Sequence, residues 1–482
     1  MRGDGAERSA IEHVDAAEAV AAARRLAGER PEWSARRRLA PGQAAVVFAA
    51  SAYAVLWARL APDVFAVAAN AAALVLFGGF SAIRWAALLR LARRRSPAPD
   101  PPLADDDLPF YTVVAPLYRE PEHARRLADT LAALDYPAER REILLVCEAD
   151  DEATLTALAS RPPPPGARVL AVAPTTPRTK PKACAVALGR ARGAFVALYD
   201  AEDAPEPDQL RKAAARFAAR GPEVAALQTR LVYVDRRRSW LARQFDAEYA
   251  AQFDILLPLL SALRLPIPLG GTGNHFRAEA LRAVGGWDPY NVTEDADVGY
   301  RFAAQGYRVE TLDSVTEEAV VPGLRPWTAQ RARWVKGYLQ TLLVHTRRPV
   351  DWMKGGGFLR YAAFLMVHGG ATASYFLYPA IAAVILLWAV AGVRPPFDPA
   401  SALFEANVAL AGFGGLAAYA TLAAGAAMRG AATGARLLWL LLTAPVYRFW
   451  GAAAAVAASV EFALRPAHWR KTPHPRPGEP RA

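Results

Sequence analysis

The sequence predicts an α/β domain inserted between membrane-spanning α-helices, and three observations carry that expectation. Apolar residues make up 53% of the 482, above the share usual in soluble domains. They gather in Ala/Leu/Val/Phe runs near both ends, while residues 100–350 have ordinary soluble composition. Within that middle part short β-rich runs alternate with helical stretches, the pattern of a largely parallel sheet flanked by helices. The net charge of +11 sits in Arg clusters beside the apolar runs, where topology requires it, so no nucleic-acid partner is expected. The two cysteines, Cys147 and Cys184, have no metal-ligand spacing and read as thiols of a reduced, cytosolic insert.

Residues 1–39 form an N-terminal cytosolic segment with helical character over 14–26. Charged residues follow Met1 where a leader would have an apolar stretch, so no signal peptide is expected. Residues 40–95 hold a transmembrane hairpin. Its apolar runs, 44–60 and 64–89, suit two spans of roughly 20 residues each, with Pro62 and Asp63 at the turn. Arg36-Arg37-Arg38 before it and Arg90 to Arg95 after it put both ends inside. Residues 96–108 are a Pro- and Asp-rich linker.

Residues 109–345 are the α/β domain. Strands are expected at 111–115, 143–147, 169–172 and 195–199, and helices at 124–134, 183–190 and 208–219. Ligands of such sheets bind beyond the carboxyl ends of the strands. Those ends carry Pro116-Leu117-Tyr118-Arg119-Glu120, Glu148-Ala149-Asp150-Asp151 and Asp200-Ala201-Glu202-Asp203. No GxGxxG follows the first strand, which speaks against a dinucleotide fold. Acids after strands are common turn formers, but Asp200, Glu202 and Asp203 crowd three carboxylates together, which is costly without a cation. A divalent Mg²⁺ or Mn²⁺ shared with substrate phosphates suits them. Lys180 and Lys182 of the Arg178–Lys182 loop suit phosphate contact; a solvated basic loop is the plain alternative.

Residues 240–263 read as helix, with Phe245, Tyr249, Phe253, Leu256 and Leu260 at packing positions. The glycines of Gly270-Gly271-Thr272-Gly273-Asn274 let backbone approach a ligand closely. His275 has no second ligand at suitable spacing and is not a metal site. Trp287 leads to Thr293-Glu294-Asp295-Ala296-Asp297, and an amphipathic helix over 327–343 puts Gln330, Arg333 and Trp334 on one face.

Residues 346–464 return to the membrane, with one span over 362–390, an external loop at 394–399 and a second span over 406–428. The last apolar run, 437–464, is broken by Pro445, Tyr447 and Arg448. A single span there would put the basic tail, 465–482, outside, against the charge rule. A re-entrant or interfacial hairpin is expected, with a kinked pair of short spans as the alternative.

On these residues the chain resembles the membrane-embedded family 2 glycosyltransferases, the group that includes cellulose, curdlan, hyaluronan and chitin synthases. The resemblance covers about 110–343 and rests on Asp200, Thr293-Glu294-Asp295 and Gln330-x-x-Arg333-Trp334 in that order. The tail His468-Trp469-Arg470-Lys471-Thr472 is similar to an ending common in these enzymes. It implies a GT-A-type domain that transfers a hexose with inversion from a nucleotide-diphosphate sugar to the end of a growing polysaccharide. Processive synthesis, translocation across a bacterial inner membrane, and contact with membrane lipids and export subunits come with it. UDP-glucose is the first expectation for the donor, with UDP-N-acetylglucosamine and GDP-mannose behind it.

Carried onto this chain, the resemblance makes Asp295 the general base, flanked by Thr293 and Glu294. Asp200, with Glu202 or Asp203, holds the divalent ion. Lys180, Lys182 and Arg333 meet the phosphates, and Pro116, Tyr118, Glu120 and an acid after Cys147 surround the nucleoside. Gly271, Thr272, Asn274, Trp287, Gln330 and Trp334 serve the acceptor and diphosphate side, with Trp334 stacking on the acceptor sugar. Two departures matter. The second strand ends in Glu148-Ala149-Asp150-Asp151, where the Asp150–Asp151 pair is favoured over Glu148, and the metal motif has Glu202 as its third residue. No appended regulatory domain is expected. The alternatives are single transfer to a lipid-linked acceptor, which the small number of spans favours, and a transporter or nucleotide-sugar sensor that kept the fold.

Overall fold

The computed structural model describes residues 11–93, 99–234, 239–321, 323–377, 390, 402–430 and 433–469. Among them the strands are β1 (Glu12–Val14), β2 (Tyr111–Leu117), β3 (Arg141–Glu148), β4 (Ala167–Val172), β5 (Phe195–Leu198), β6 (Ala204–Pro205), β7 (Val224–Tyr233), β8 (Asn274–Arg277) and β9 (Arg308–Glu318). They form one sheet in the order β1-β4-β3-β2-β5-β8-β7-β9-β6. Alternation along the central strands explains its two cores. Val114, Leu144 and Val146 face the Lys180–Arg190 and Ala278–Ala283 helices. Val113, Ile143 and Leu145 face the Pro121–Ala132 and Gln209–Ala218 helices. Cys147 and Cys184 are buried free thiols.

The first five strands of that order are parallel, as the alternation predicts. The rest is mixed: β8 runs antiparallel to β5 and β7, and β6 antiparallel to β9. Leu198 pairs with Asn274, so the chain leaving β5 and the glycine loop entering β8 emerge side by side. That antiparallel insertion brings Asp200 beside Gly271. The N-terminal segment adds a strand as well as the expected helix (Ala16–Glu29). Three residues are too short for a period-2 pattern; pairing with β4 and the Arg190–Glu18 ion pair at 2.6 Å hold them.

Among the described residues, three helices are long and apolar enough to cross a membrane: Val67–Ala92, Glu405–Met428 and Ala435–Leu464. The first predicted span forms the twenty-residue helix Pro41–Leu60. The predicted span over 362–390 begins as helix Phe358–Phe364 and continues through a π-turn at Leu365–Gly369. Its second half, the loop at 394–399, Arg94, Arg95 and the tail from Arg470 lie outside the described residues.

The last apolar run corrects the expectation of a hairpin, because Ala435–Leu464 is one continuous helix that contains Pro445. An interior proline costs about 3 kcal/mol in an isolated helix, and here side-on docking offsets it. Gln244 donates to Leu440 O at 2.7 Å, Tyr447 to Glu248 at 2.6 Å, and Trp450 Nε1 to Thr328 Oγ1 at 2.9 Å. Lys336 meets Glu461 at 3.2 Å, and Arg38 donates to Ala463 O at 2.6 Å. Both ends of this helix therefore lie against the α/β unit, along the Leu324–His345 helix.

Candidate active site

The carboxyl ends of β2, β3 and β5 open onto a cavity of about 200 Å³, closed on the far side by the Leu324–His345 helix. Gly271 lies on its lining, beside three of its charged groups. A Cβ placed there would lie 3.6 Å from Asp295 Oδ2, 3.8 Å from Lys180 Nζ and 4.0 Å from Asp200 Oδ2. Residues separated by nearly a hundred positions thus converge within a methyl's reach of one backbone carbon. Lys180 Nζ donates to Gly271 O at 2.6 Å and pairs with Asp200 Oδ1.

The glycine loop is held from below. Gln228 Oε1 accepts from Gly270 N at 2.6 Å, Gln228 Nε2 donates to Thr272 O at 3.1 Å, and Asn274 Nδ2 donates to Gly270 O at 2.6 Å. Gly273 has φ +63°, and a Cβ there would collide with Thr229 Oγ1, so glycine is required. The acidic loop is held by the Leu324–His345 helix. Val292 N donates to Gln340 Oε1 at 3.0 Å, Asn291 Nδ2 to Thr341 Oγ1 at 3.0 Å, and Gly337 leaves the room that Thr293 fills. Glu294, Asp295 and Asp297 lie in the first turn of the Glu294–Ala304 helix, and Asp297 is structural: it binds Arg301 at 2.9 Å and His345 at 3.0 Å.

Seven acids line the cavity, Glu120, Glu148, Asp200, Glu202, Glu294, Asp295 and Glu318, against Arg178, Lys180 and Arg333. The imbalance resists ionisation. Burial, with Asp200 and Glu120 nearby, pushes Glu202 up to about 8. Burial, with Glu202 and Asp200, does the same to Glu318, also to about 8. Burial and Asp295 push Glu294 up to about 7, and burial raises Asp295. Lys180 moves the other way: burial disfavours its charge, but Asp200 and Glu294 together outweigh it, and its pKa rises.

Most of the sequence-derived candidates meet here. Pro116, Tyr118, Glu120, Glu148, Lys180, Asp200, Glu202, Gly271, Thr272, Thr293, Glu294, Asp295, Gln330, Arg333 and Trp334 all line the cavity. Others stand behind it. Asp203 Oδ2 accepts from Asp200 N at 2.6 Å and from Thr272 Oγ1, which ties the loop together from within. Lys182 is fully buried and binds Glu148 at 2.6 Å and Thr175 O at 3.0 Å. Asn274 braces Gly270, and Trp287 packs edge-on against Phe276 at 5.4 Å in the core. The acids after β3 divide: Glu148 is on the wall, Asp150 pairs with Arg178 at 2.7 Å, and Asp151 caps the Glu152–Ala159 helix. The favoured Asp150–Asp151 pair is therefore set back from the wall that Glu148 forms.

Among the described residues no group of three or more acids, His or Cys is gathered closely enough to make a ready cation cage. A divalent ion shared with substrate phosphates needs only one or two carboxylates. Asp200 and Glu202 fit that requirement on the cavity wall; Asp203, engaged by Thr272, does not.

Several lining residues have no site role in the sequence reading: Glu318, Tyr233 and Tyr338 are not singled out there, Tyr249 and Phe253 are read as packing positions, and Trp469 enters only with the tail. Glu318 ends β9 as Asp200 follows β5, and acid after strand was the available signal. Trp469 lies under the Arg333 guanidinium at 5.4 Å, and Arg333 has no carboxylate partner among the described residues. Trp334 stacks with Tyr249 at 6.2 Å.

Residues 195–395 match the family model described as glycosyl transferase family group 2. The chain is 29% identical over 283 residues to the beta-monoglucosyldiacylglycerol synthase of Synechocystis, a match covering 55% of this chain and 57% of that one. It is 28% identical over 144 residues to the probable glucomannan 4-beta-mannosyltransferase 1 of Arabidopsis thaliana, covering 30% and 26%. It spans about half the length of the first of these relatives and about a quarter of the second. Among solved structures, the mannosyltransferase PcManGT from Pyrobaculum calidifontis in complex with GDP-Man and Mn²⁺ is similar, with TM-score 0.48 and 24% identity over 82% of this chain and 98% of that one. The α/β unit is a mixed sheet flanked by helices and set among long apolar helices, and its residues 195–395 are similar to the glycosyl transferase family group 2.

Proposed function

We propose that the protein is an inverting membrane glycosyltransferase that moves a hexose from a nucleotide-diphosphate sugar to an acceptor presented from the membrane side. The convergence of Asp295, Lys180 and Asp200 around Gly271 carries this reading. An acceptor hydroxyl attacks the anomeric carbon, its proton passes to Asp295, and the bond to the diphosphate breaks. Burial raises Asp295, which strengthens it as a base. Lys180 and Arg333 face the leaving phosphates, Glu148, Tyr118 and Glu120 the nucleoside, and Trp334 the acceptor sugar. When bound to Asp200 and Glu202, a Mg²⁺ or Mn²⁺ ion neutralises charge on the departing diphosphate. The relatives' names cover both mannan-type polymers and a glycolipid. A growing polysaccharide and a membrane lipid are accordingly the two acceptor classes. A cavity continuous with Trp334 on the membrane side favours the lipid, and UDP-glucose is the first donor to try.

With both ends of the Ala435–Leu464 helix against the α/β unit, we read that helix as interfacial. The tail then stays on the cytosolic face of a bacterial inner membrane, where Trp469 can serve the catalytic cavity. The test is Asp295→Asn in the purified full chain, with nucleoside diphosphate release followed over a panel of donors. Loss of about 10²- to 10⁴-fold in turnover is expected, with nucleotide binding retained. Unaltered turnover would refute the base. A long polymer product instead of a singly glycosylated lipid would assign the acceptor to the first class.

A further inference from the structure

A second cavity, of about 260 Å³, lies between the α/β unit and the apolar helices. It shares Trp334, Tyr338, Tyr249, Gln252 and Pro268 with the catalytic cavity, so the two adjoin at Trp334. Among the described residues its charged lining has the opposite sign: Arg84, Arg331 and Arg448 against the carboxylate Glu248. That carboxylate is already engaged. Arg331 reaches it with two bonds, at 2.6 and 3.1 Å, and Tyr447 donates to it at 2.6 Å. Arg84 lies 4.1 Å from the centre of the Phe80 ring. Among the described residues neither Arg84 nor Arg448 has a carboxylate within ion-pair distance.

Arg84 sits on the Val67–Ala92 helix, apolar enough to cross a membrane, and Arg448 on the Ala435–Leu464 helix, read above as interfacial; the two come from opposite ends of the sequence. Guanidinium groups stay ionised, and an ionised group in or at the edge of lipid turns toward a cavity, a partner or the headgroup layer because hydrocarbon cannot solvate it. Two of them in one cavity are matched by an anion with several acceptor oxygens, for which arginine is suited. A neutral glycan would meet the aromatic walls and leave both charges unanswered. A soluble nucleotide would already find Lys180 and Arg333 on the other side of Trp334.

We propose that this cavity binds the phosphate headgroup of a membrane lipid, held by Arg84 and Arg448 next to Trp334. As an acceptor site it rests on the transferase reading above; as a lipid-phosphate site it does not. The probe is dioleoyl phosphatidic acid in phosphatidylcholine nanodiscs carrying the full chain, with lipid retention read by native mass spectrometry after mild delipidation. Wild type should retain phosphatidic acid in preference to phosphatidylcholine, and inorganic phosphate should not displace it. Arg84→Gln with Arg448→Gln should weaken retention by roughly tenfold or more, the scale of one charge-assisted hydrogen bond. Arg84→Lys with Arg448→Lys should retain part of it, which separates lost charge from lost fold. Equal retention of the two lipids by wild type, or unchanged retention in the Gln variant, would overturn the site. Displacement by inorganic phosphate would overturn its assignment to a lipid. Nucleoside diphosphate binding by wild type, measured separately, tests the transferase reading alone.

Discussion

The two cavities that adjoin at Trp334 are built from opposite charge. On the sheet side, carboxylates outnumber cations, and burial holds Glu202 and Glu318 up to about 8. On the helix side, among the described residues, arginines outnumber the carboxylate Glu248. An excess of acid suits a leaving group that arrives with a cation; an excess of guanidinium suits an anion that arrives without one. On the two proposals above, that difference would sort donor from acceptor by electrostatics on either side of Trp334.

The contrast can be broken from either side. Arg333→Ala removes a guanidinium with no carboxylate partner among the described residues, and with it the phosphate contacts proposed above. Nucleoside diphosphate affinity, measured by calorimetry, should fall about 10- to 100-fold. Trp334→Ala removes the shared wall. The acceptor KM should rise roughly tenfold while donor affinity changes less, since a stacked ring contributes on the order of 1 kcal/mol. Gly271→Ala adds a methyl at ordinary contact distance from Asp295, Lys180 and Asp200. The thermal midpoint should hold within a few degrees while turnover falls several-fold, because the methyl occupies the reaction space and not the core.

A pH titration probes the acid excess itself. Glu202 and Glu318 are raised from 4.5 to about 8 in the folded chain, so between those values the folded state keeps protons that the unfolded state has released. Stability contributed by this difference is present at acidic pH and is lost as pH rises through the folded values. The melting temperature of the chain without nucleotide or divalent ion should therefore fall as pH rises from about 5 to about 8. Glu318→Gln should flatten that slope, and an unchanged slope would show that the acids are solvated.

Much of this was legible in the sequence, because strand ends, glycine loops and i, i+3, i+4 spacing are local signals. Asp200, Asp295, Gln330, Arg333 and Trp334 are singled out that way, and they line one cavity from its two sides. The misses are long-range. That Asp203 turns inward depends on Thr272, sixty-nine residues away, and that Glu148 rather than Asp150 faces the cavity depends on Arg178 drawing Asp150 aside. The antiparallel β8 is set by where a long helix returns the chain, which no strand pattern encodes. Pro445 reads as a break, yet the helix continues because Gln244, Glu248 and Thr328 hold it from outside.

The cation is where the account is most exposed. Calorimetric titration of UDP and GDP into the full chain, with and without Mn²⁺, and again with Asp200→Asn, tests it most directly. The acid-rich cavity predicts binding that requires the divalent ion and is lost in the variant. Tight binding of either nucleotide without the ion, unchanged in Asp200→Asn, would contradict the division of charge across Trp334.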